Sequence, residues 1–196
     1  MITFRTLVIG AVAAAAMTTA VSAQVSTSAD QVARADLAHR VNAYVGLKEA
    51  VRQTVMPLVT LQDPVEVRRR TEALAIVIRS ARSQARQGDI FTPEIAQMIR
   101  RAVREGCEGD YALQVALIYE EQTHPMPAAR VNDRWPGTVP YPTMLPAVLA
   151  ALPALPEGLE YRFMNNALVL LDIDANLIVD FVPDAVVITT EVGDAH

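Results

Sequence analysis

Residues 159–182, LEYRFMNNALVLLDIDANLIVDFV, alternate three short β-prone runs with two turn-forming gaps. Leu159 to Phe163, Leu168 to Ile173 and Leu177 to Val182 are the runs, and Asn165-Asn166 and Asp174-Ala175-Asn176 supply residues that tolerate tight, left-handed turns. A three-stranded antiparallel meander is expected. Its middle run, Leu168-Val169-Leu170-Leu171, lacks polar alternation and calls for burial on both faces, whereas Asp180 in the third run marks one face as more polar.

Upstream the period changes. From Asp30 to about Met56, Leu37, Val41, Tyr44, Lys48, Val51 and Val55 recur at alternating fours and threes, an amphipathic helix whose stripe has one charged member. Pro57 ends it. Asp63-Pro64-Val65-Glu66 then provides an N-cap, a proline at the first helical position and a capping-box carboxylate. That second helix, with stripe Val67, Thr71, Leu74, Ile78, Ala81 and Ala85, is expected to close at Gly88. Two helices of roughly 40 and 36 Å joined by a short link predict an antiparallel hairpin. Thr92-Pro93-Glu94 opens a third helix that presents Ile95, Met98, Ile99, Ala102 and Val103 and stops at Gly106. A fourth is expected from Asp110 to about Gln122. Eight of the twelve prolines lie between His124 and Glu157, which leaves room there for one short helix, from about Met144 to Leu152. The fold class is therefore α+β: a helical hairpin, one or two further helices, and the meander.

The first 23 residues have the grammar of an export leader: Arg5, an uncharged run from Leu7 to Ala20, and Val21-Ser22-Ala23 as a small-residue cleavage site. The run, about 14 residues, is shorter than a spanning helix requires. A periplasmic or secreted product beginning at Gln24 is expected, with no transmembrane segment after cleavage. Residues 24–196 would form one domain: a helical part to 122, a proline-rich belt over 123–158 and the meander over 159–188. With one cysteine in 196 residues there is no internal disulfide to staple it.

The formal net charge of −5 is unevenly spread. Residues 24–109 carry thirteen basic against ten acidic side chains, and residues 110–196 three against twelve. Nucleic acid is not expected as a partner of the acidic half, because bound phosphates need cations.

Two stretches, GLKEAVRQTVMPLVTLQDPVEV with ARQGDIFTPE (46–67 and 85–94) and LPEGLEYRFMNNALVLLDIDANLIVDFVPDA (155–185), resemble a family of short bacterial exported proteins to which no activity is assigned. The resemblance implies export and an order of helices followed by a meander.

Chemistry-bearing motifs are sparse. Asp172-Ile173-Asp174-Ala175-Asn176 alternates oxygen ligands like a calcium loop, but Leu177 and Pro183 stand where that loop needs its glycine and its bidentate glutamate. The segment reads as a hairpin turn. His39, His124 and His196 lack metal-binding spacing, so no metal site is expected. Cys107 is flanked by Glu105 and Glu108, carboxylates that oppose thiolate formation. No nucleophile elbow or phosphate-cradling loop occurs, and no cofactor is expected. Arg68, Arg79, Arg82 and Arg86 fall on one side of the second helix, a ridge suited to an acidic envelope protein or another anionic surface. Arg130, Arg134 and Trp135 add a possible second contact patch, with Trp135 the more natural core plug. The expected function is a non-enzymatic envelope binding or structural module. The alternative is an envelope hydrolase that pairs His39 or His124 with a distant carboxylate.

Overall fold

A computed structural model describes residues 15–55, 63–107, 126–137 and 144–186, with side chains described from 28 onward except at 55. The expected helix at 110–122, His124, His196 and the link at 57–62 lie outside these ranges. The architecture is α+β, with four described helices preceding a three-stranded sheet. They are α1 (Ala15–Val55), α2 (Pro64–Ala81), α3 (Pro93–Gly106), α4 (Pro146–Ala151), β1 (Leu159–Met164), β2 (Ala167–Asp172) and β3 (Leu177–Val182). The backbone is already helical at Ala15, upstream of the expected start at Asp30, and no proline or glycine interrupts residues 15–30.

The caps are as the sequence reading has them. Asp63 accepts from the Val65 amide at 2.9 Å, and Thr92 from that of Ile95 at 3.4 Å, each followed by proline in the first turn. Glu66, expected to complete a capping box, instead pairs with Arg69 and Arg70. On α1, Ala33, Leu37, Val41 and Tyr44 are buried, and on α3 Ile95, Ala96, Met98, Ile99, Ala102 and Val103. Gly106 ends α3 hard against α4: a β-carbon there would lie 2.5 Å from Val148 Cα, so no larger residue fits without moving the short helix.

The meander is antiparallel in the order β1-β2-β3, and every β2 residue is buried. Asn165 and Asn176 adopt positive φ in its two turns. Tyr161, Phe163, Leu168 and Leu170 join the helices in the main core. Val169, Leu171 and Ile178 face the other way, where Trp135, Met126 and Ala129 of the proline belt cover them. The belt also pairs with β3: the Asn132 amide donates to the Ile178 carbonyl at 2.8 Å, and the Ile178 amide to the Asp133 carbonyl at 2.9 Å. The outer edge of β3 is thereby protected from pairing with another strand.

The register shifts between Leu170 and Leu171, where Asp180 and Ile178 are their partners, so Val179 is a bulged residue. Past the bulge Asp180 stands opposite Leu170 and points into the helix-side core. Asp180 was expected to mark a polar face; it is fully buried instead. Its carboxylate accepts from the amides of Gly88 (3.0 Å), Ile90 (2.7 Å), Phe91 (2.8 Å) and Phe181 (2.8 Å). This is why α2 stops at Ala81 and not at the expected Gly88. Residues 82–91 leave the helix to wrap the carboxylate, and Gly88 takes φ +92° in that loop. Of the expected α2 stripe Leu74 and Ile78 are buried and pack together with Ala75, whereas Val67 and Ala81 are exposed.

Asp180→Ala should cost at least about 3 kcal/mol in urea unfolding, because it strands several buried amides. Ile173→Ser, on an exposed turn residue, should change stability by less than about 0.5 kcal/mol.

Candidate functional site

Lys48, the charged member of the α1 stripe, is buried like its apolar neighbours and requires a counter-charge. Asp172 provides it from the end of β2, on the same sheet face as Asp180. Its Oδ1 accepts from Lys48 Nζ at 2.9 Å and from the amides of Asp174 (3.0 Å) and Ala175 (3.1 Å), and its Oδ2 accepts from the Tyr44 hydroxyl at 2.7 Å. Asp174 closes the other side of the ammonium at 2.8 Å. The segment that looks like a calcium loop thus does surround a cation, and that cation is the side chain of Lys48. Gly158 permits this approach: at φ +81° its β-carbon would sit 2.8 Å from Asp174 Oδ2 and 2.9 Å from Lys48 Nζ. Burial, and then the Asp172 carboxylate, push the Tyr44 phenol well above its ordinary pKa.

Above this cluster lies an open cleft of about 420 Å³, walled by Arg40, Ala43, Tyr44 and Leu47 of α1 and by residues of the 81–90 loop. Both arginines on its walls are engaged by the protein. Arg40 pairs with Asp36 at 2.9 Å and donates to the Asp89 carbonyl at 2.8 Å. Arg82 lies 5.1 Å over the Tyr44 ring and donates to the carbonyl of the bulged Val179 at 3.0 Å. Burial lowers the Arg82 pKa from its ordinary value. The cleft therefore offers an aromatic ring and anchored cations, with no nucleophile–base pair on its described walls. His39 is exposed on α1 and is not part of the lining.

The expected arginine ridge does not form. Arg68 and Arg79 remain on α2, the first exposed and the second half-buried. Arg82, past the end of the helix, turns inward, and Arg86 lies in the loop with its amide bonded to Asp89 Oδ2 at 2.8 Å. The second patch is dispersed as well. Arg130 is exposed, Arg134 pairs with Glu72 of α2 at 2.7 Å, and Trp135 is a buried plug whose carbonyl accepts from Asn176 at 3.2 Å. Cys107 is fully buried at the C-cap of α3, just past the last helical residue. Burial raises its pKa.

The helix α2 is widely open to solvent. Of its 18 residues three are buried, and Val65 and Ile76 are 53% and 54% exposed on a single face. Arg69 and Glu72 lie between them on that face. This surface was not anticipated, because four residues of mixed type do not form an apolar stripe.

Among the described residues no three His, Cys, Asp or Glu side chains are placed to hold a metal ion, and no helix is long and apolar enough to cross a membrane. No known family model, curated protein or solved structure matches the chain, and the likeness to short bacterial exported proteins draws no support there.

Lys48→Met should destabilise the protein by about 3 kcal/mol, since it leaves a buried carboxylate without its cation. The folded protein keeps the Tyr44 proton while an unfolded chain releases it near pH 10, so stability should be full below that pH and fall above it. Tyr44→Phe should flatten that fall in melting temperatures recorded between about pH 8 and 11; an unchanged slope would contradict the assignment. Cys107 should resist thiol reagents in the native protein and react fully in denaturant.

Proposed function

We propose that this chain is an exported bacterial envelope protein that acts by binding another polypeptide, and that the open face of α2 is its contact surface. The observation that carries the reading is the pair of large apolar side chains, Val65 and Ile76, held in water on a helix that packs through Leu74, Ala75 and Ile78 of its C-terminal half. Charged groups border them: Arg68, Arg69, Glu72 and Arg79. Apolar side chains interleaved with charged ones are the mixture found across non-obligate protein interfaces.

The mixed charge favours a protein over an anionic lipid or glycan surface. Two glutamates stand among the four arginines of α2, Arg69 and Arg70 pair with Glu66, and Glu72 pairs with Arg134. Too little uncompensated positive charge remains for attraction to a charged sheet to dominate. Export is supported by the leader-like residues 1–23 and by the resemblance to exported proteins. The polar groups of the interior support binding over catalysis, since Tyr44, Lys48, Asp172 and Asp180 are each bonded into the fold.

A photo-crosslinking side chain placed at position 76 should trap a polypeptide in the envelope of the producing cell, and the same group at exposed position 149 on α4 should not. The mature protein should have the mass of a chain beginning at Gln24. No adduct at position 76, or a product that keeps its first 23 residues in the cytosol, would refute the reading.

A further inference from the structure

The open face of α2 is complementary to itself when turned end for end. Val65, Arg69, Glu72 and Ile76 recur at four-three-four spacing, the interval with which one helix keeps facing another. On an ideal helix the four lie within an arc of about 60°. They are also symmetric about the point midway between residues 70 and 71, with the charged pair about 2 Å and the apolar pair about 8 Å along the axis on either side. Turning the helix end for end exchanges Val65 with Ile76 and Arg69 with Glu72.

We infer that the polypeptide this face binds is a second copy of the chain. The two α2 helices pair antiparallel about a two-fold axis, Val65 of each copy against Ile76 of the other and Arg69 of each against Glu72 of the other. The inference rests on the reading of α2 as the contact surface and names its partner.

Charge decides both partner and orientation. An acidic partner would meet Glu72 at the centre of the face, and a basic one would meet Arg69. A parallel pair would set like charges against one another, which is destabilising, whereas the antiparallel pair matches both and also opposes the helix dipoles. Each group keeps room for the new contact. Arg69 pairs with Glu66 but its side chain is 74% exposed, and Glu72 pairs with Arg134 but is 50% exposed. In the dimer each Glu72 lies between Arg134 of its own chain and Arg69 of the other. Beside the seam, exposed Arg68 falls opposite Ala73 of the other copy, a residue small enough to admit its aliphatic stem.

The seam extends over only about 16 Å, which places the contact among weak interfaces of less than about 1,200 Å². Sedimentation equilibrium of the leader-processed protein over a wide concentration range should show monomers passing into dimers. Arg69→Glu and Glu72→Arg should each weaken the dimer at least about tenfold, a change of about 1.4 kcal/mol. The double variant should recover association to within about threefold of the parent, and mixing the two single variants should give a mixed dimer. Circular dichroism of each variant checks that it is folded. If charge reversal unfolds a variant, Ile76→Lys is the substitute and should give monomers.

A parent protein that stays monomeric at all concentrations, or a double variant that does not recover, would overturn the inference. The crosslinker at position 76 separates this failure from the broader one. An adduct of twice the chain mass supports the dimer. An adduct of any other mass rejects it while leaving α2 as the contact surface, and no adduct rejects both.

Discussion

A carboxyl group taken out of water is tolerated only when its oxygens meet donors, and in this fold two aspartates meet that condition on one side of one small sheet. Asp172 takes up Tyr44, Lys48 and two amides of its own turn. Asp180 takes up three amides of the loop after α2, about ninety residues away. Apolar packing alone sets which faces meet, since it is non-directional. These bonds set the register: α1 is fixed along its length at Tyr44 and Lys48, and α2 must stop before the Asp180 carboxylate. The bulge at Val179 serves the same arrangement, because it frees a carbonyl for Arg82 and turns Asp180 toward the helices.

This division of labour shapes what the molecule offers to others. Tyr44, Lys48, Asp172 and Asp180 are bonded within the fold, and the cleft above Tyr44 is walled by arginines that the protein itself holds. Because the loop after α2 is drawn toward Asp180, the C-terminal half of α2 packs through Leu74, Ala75 and Ile78 while its N-terminal half has no buried residue. Internal anchoring at one end of the helix thus leaves a mixed apolar and charged face in solvent. The proposed binding role is the counterpart of that exposure.

Local features of the chain were legible before its structure. The starts of α2 and α3 rest on an N-cap followed by proline, interactions that span only a few residues. The sheet rests on three runs broken by asparagines, and Asn165 and Asn176 do take the left-handed turn conformation. Long-range polar contacts were not legible. A lysine in an apolar stripe signals that some carboxylate must come to it, but nothing local identifies Asp172, 124 residues on, as that group. Asp180 was misread for the same reason, since an aspartate in a strand marks a solvated face unless a distant loop brings donors to it. The arginine ridge failed because helical spacing was extended past Ala81, where the backbone leaves the helix. The open face of α2 leaves no local signal, because its four residues are of unlike type and carry no apolar periodicity.

Native-state hydrogen exchange at the amides of Gly88, Ile90 and Phe91 probes the buried Asp180 anchor. These amides sit in an irregular loop, outside any helix or strand ladder, and would ordinarily exchange quickly. If Asp180 anchors that loop to the sheet, they exchange as slowly as the amides of β2, through global unfolding alone. Exchange at the pace of an open surface loop, with β2 still protected, would contradict the account.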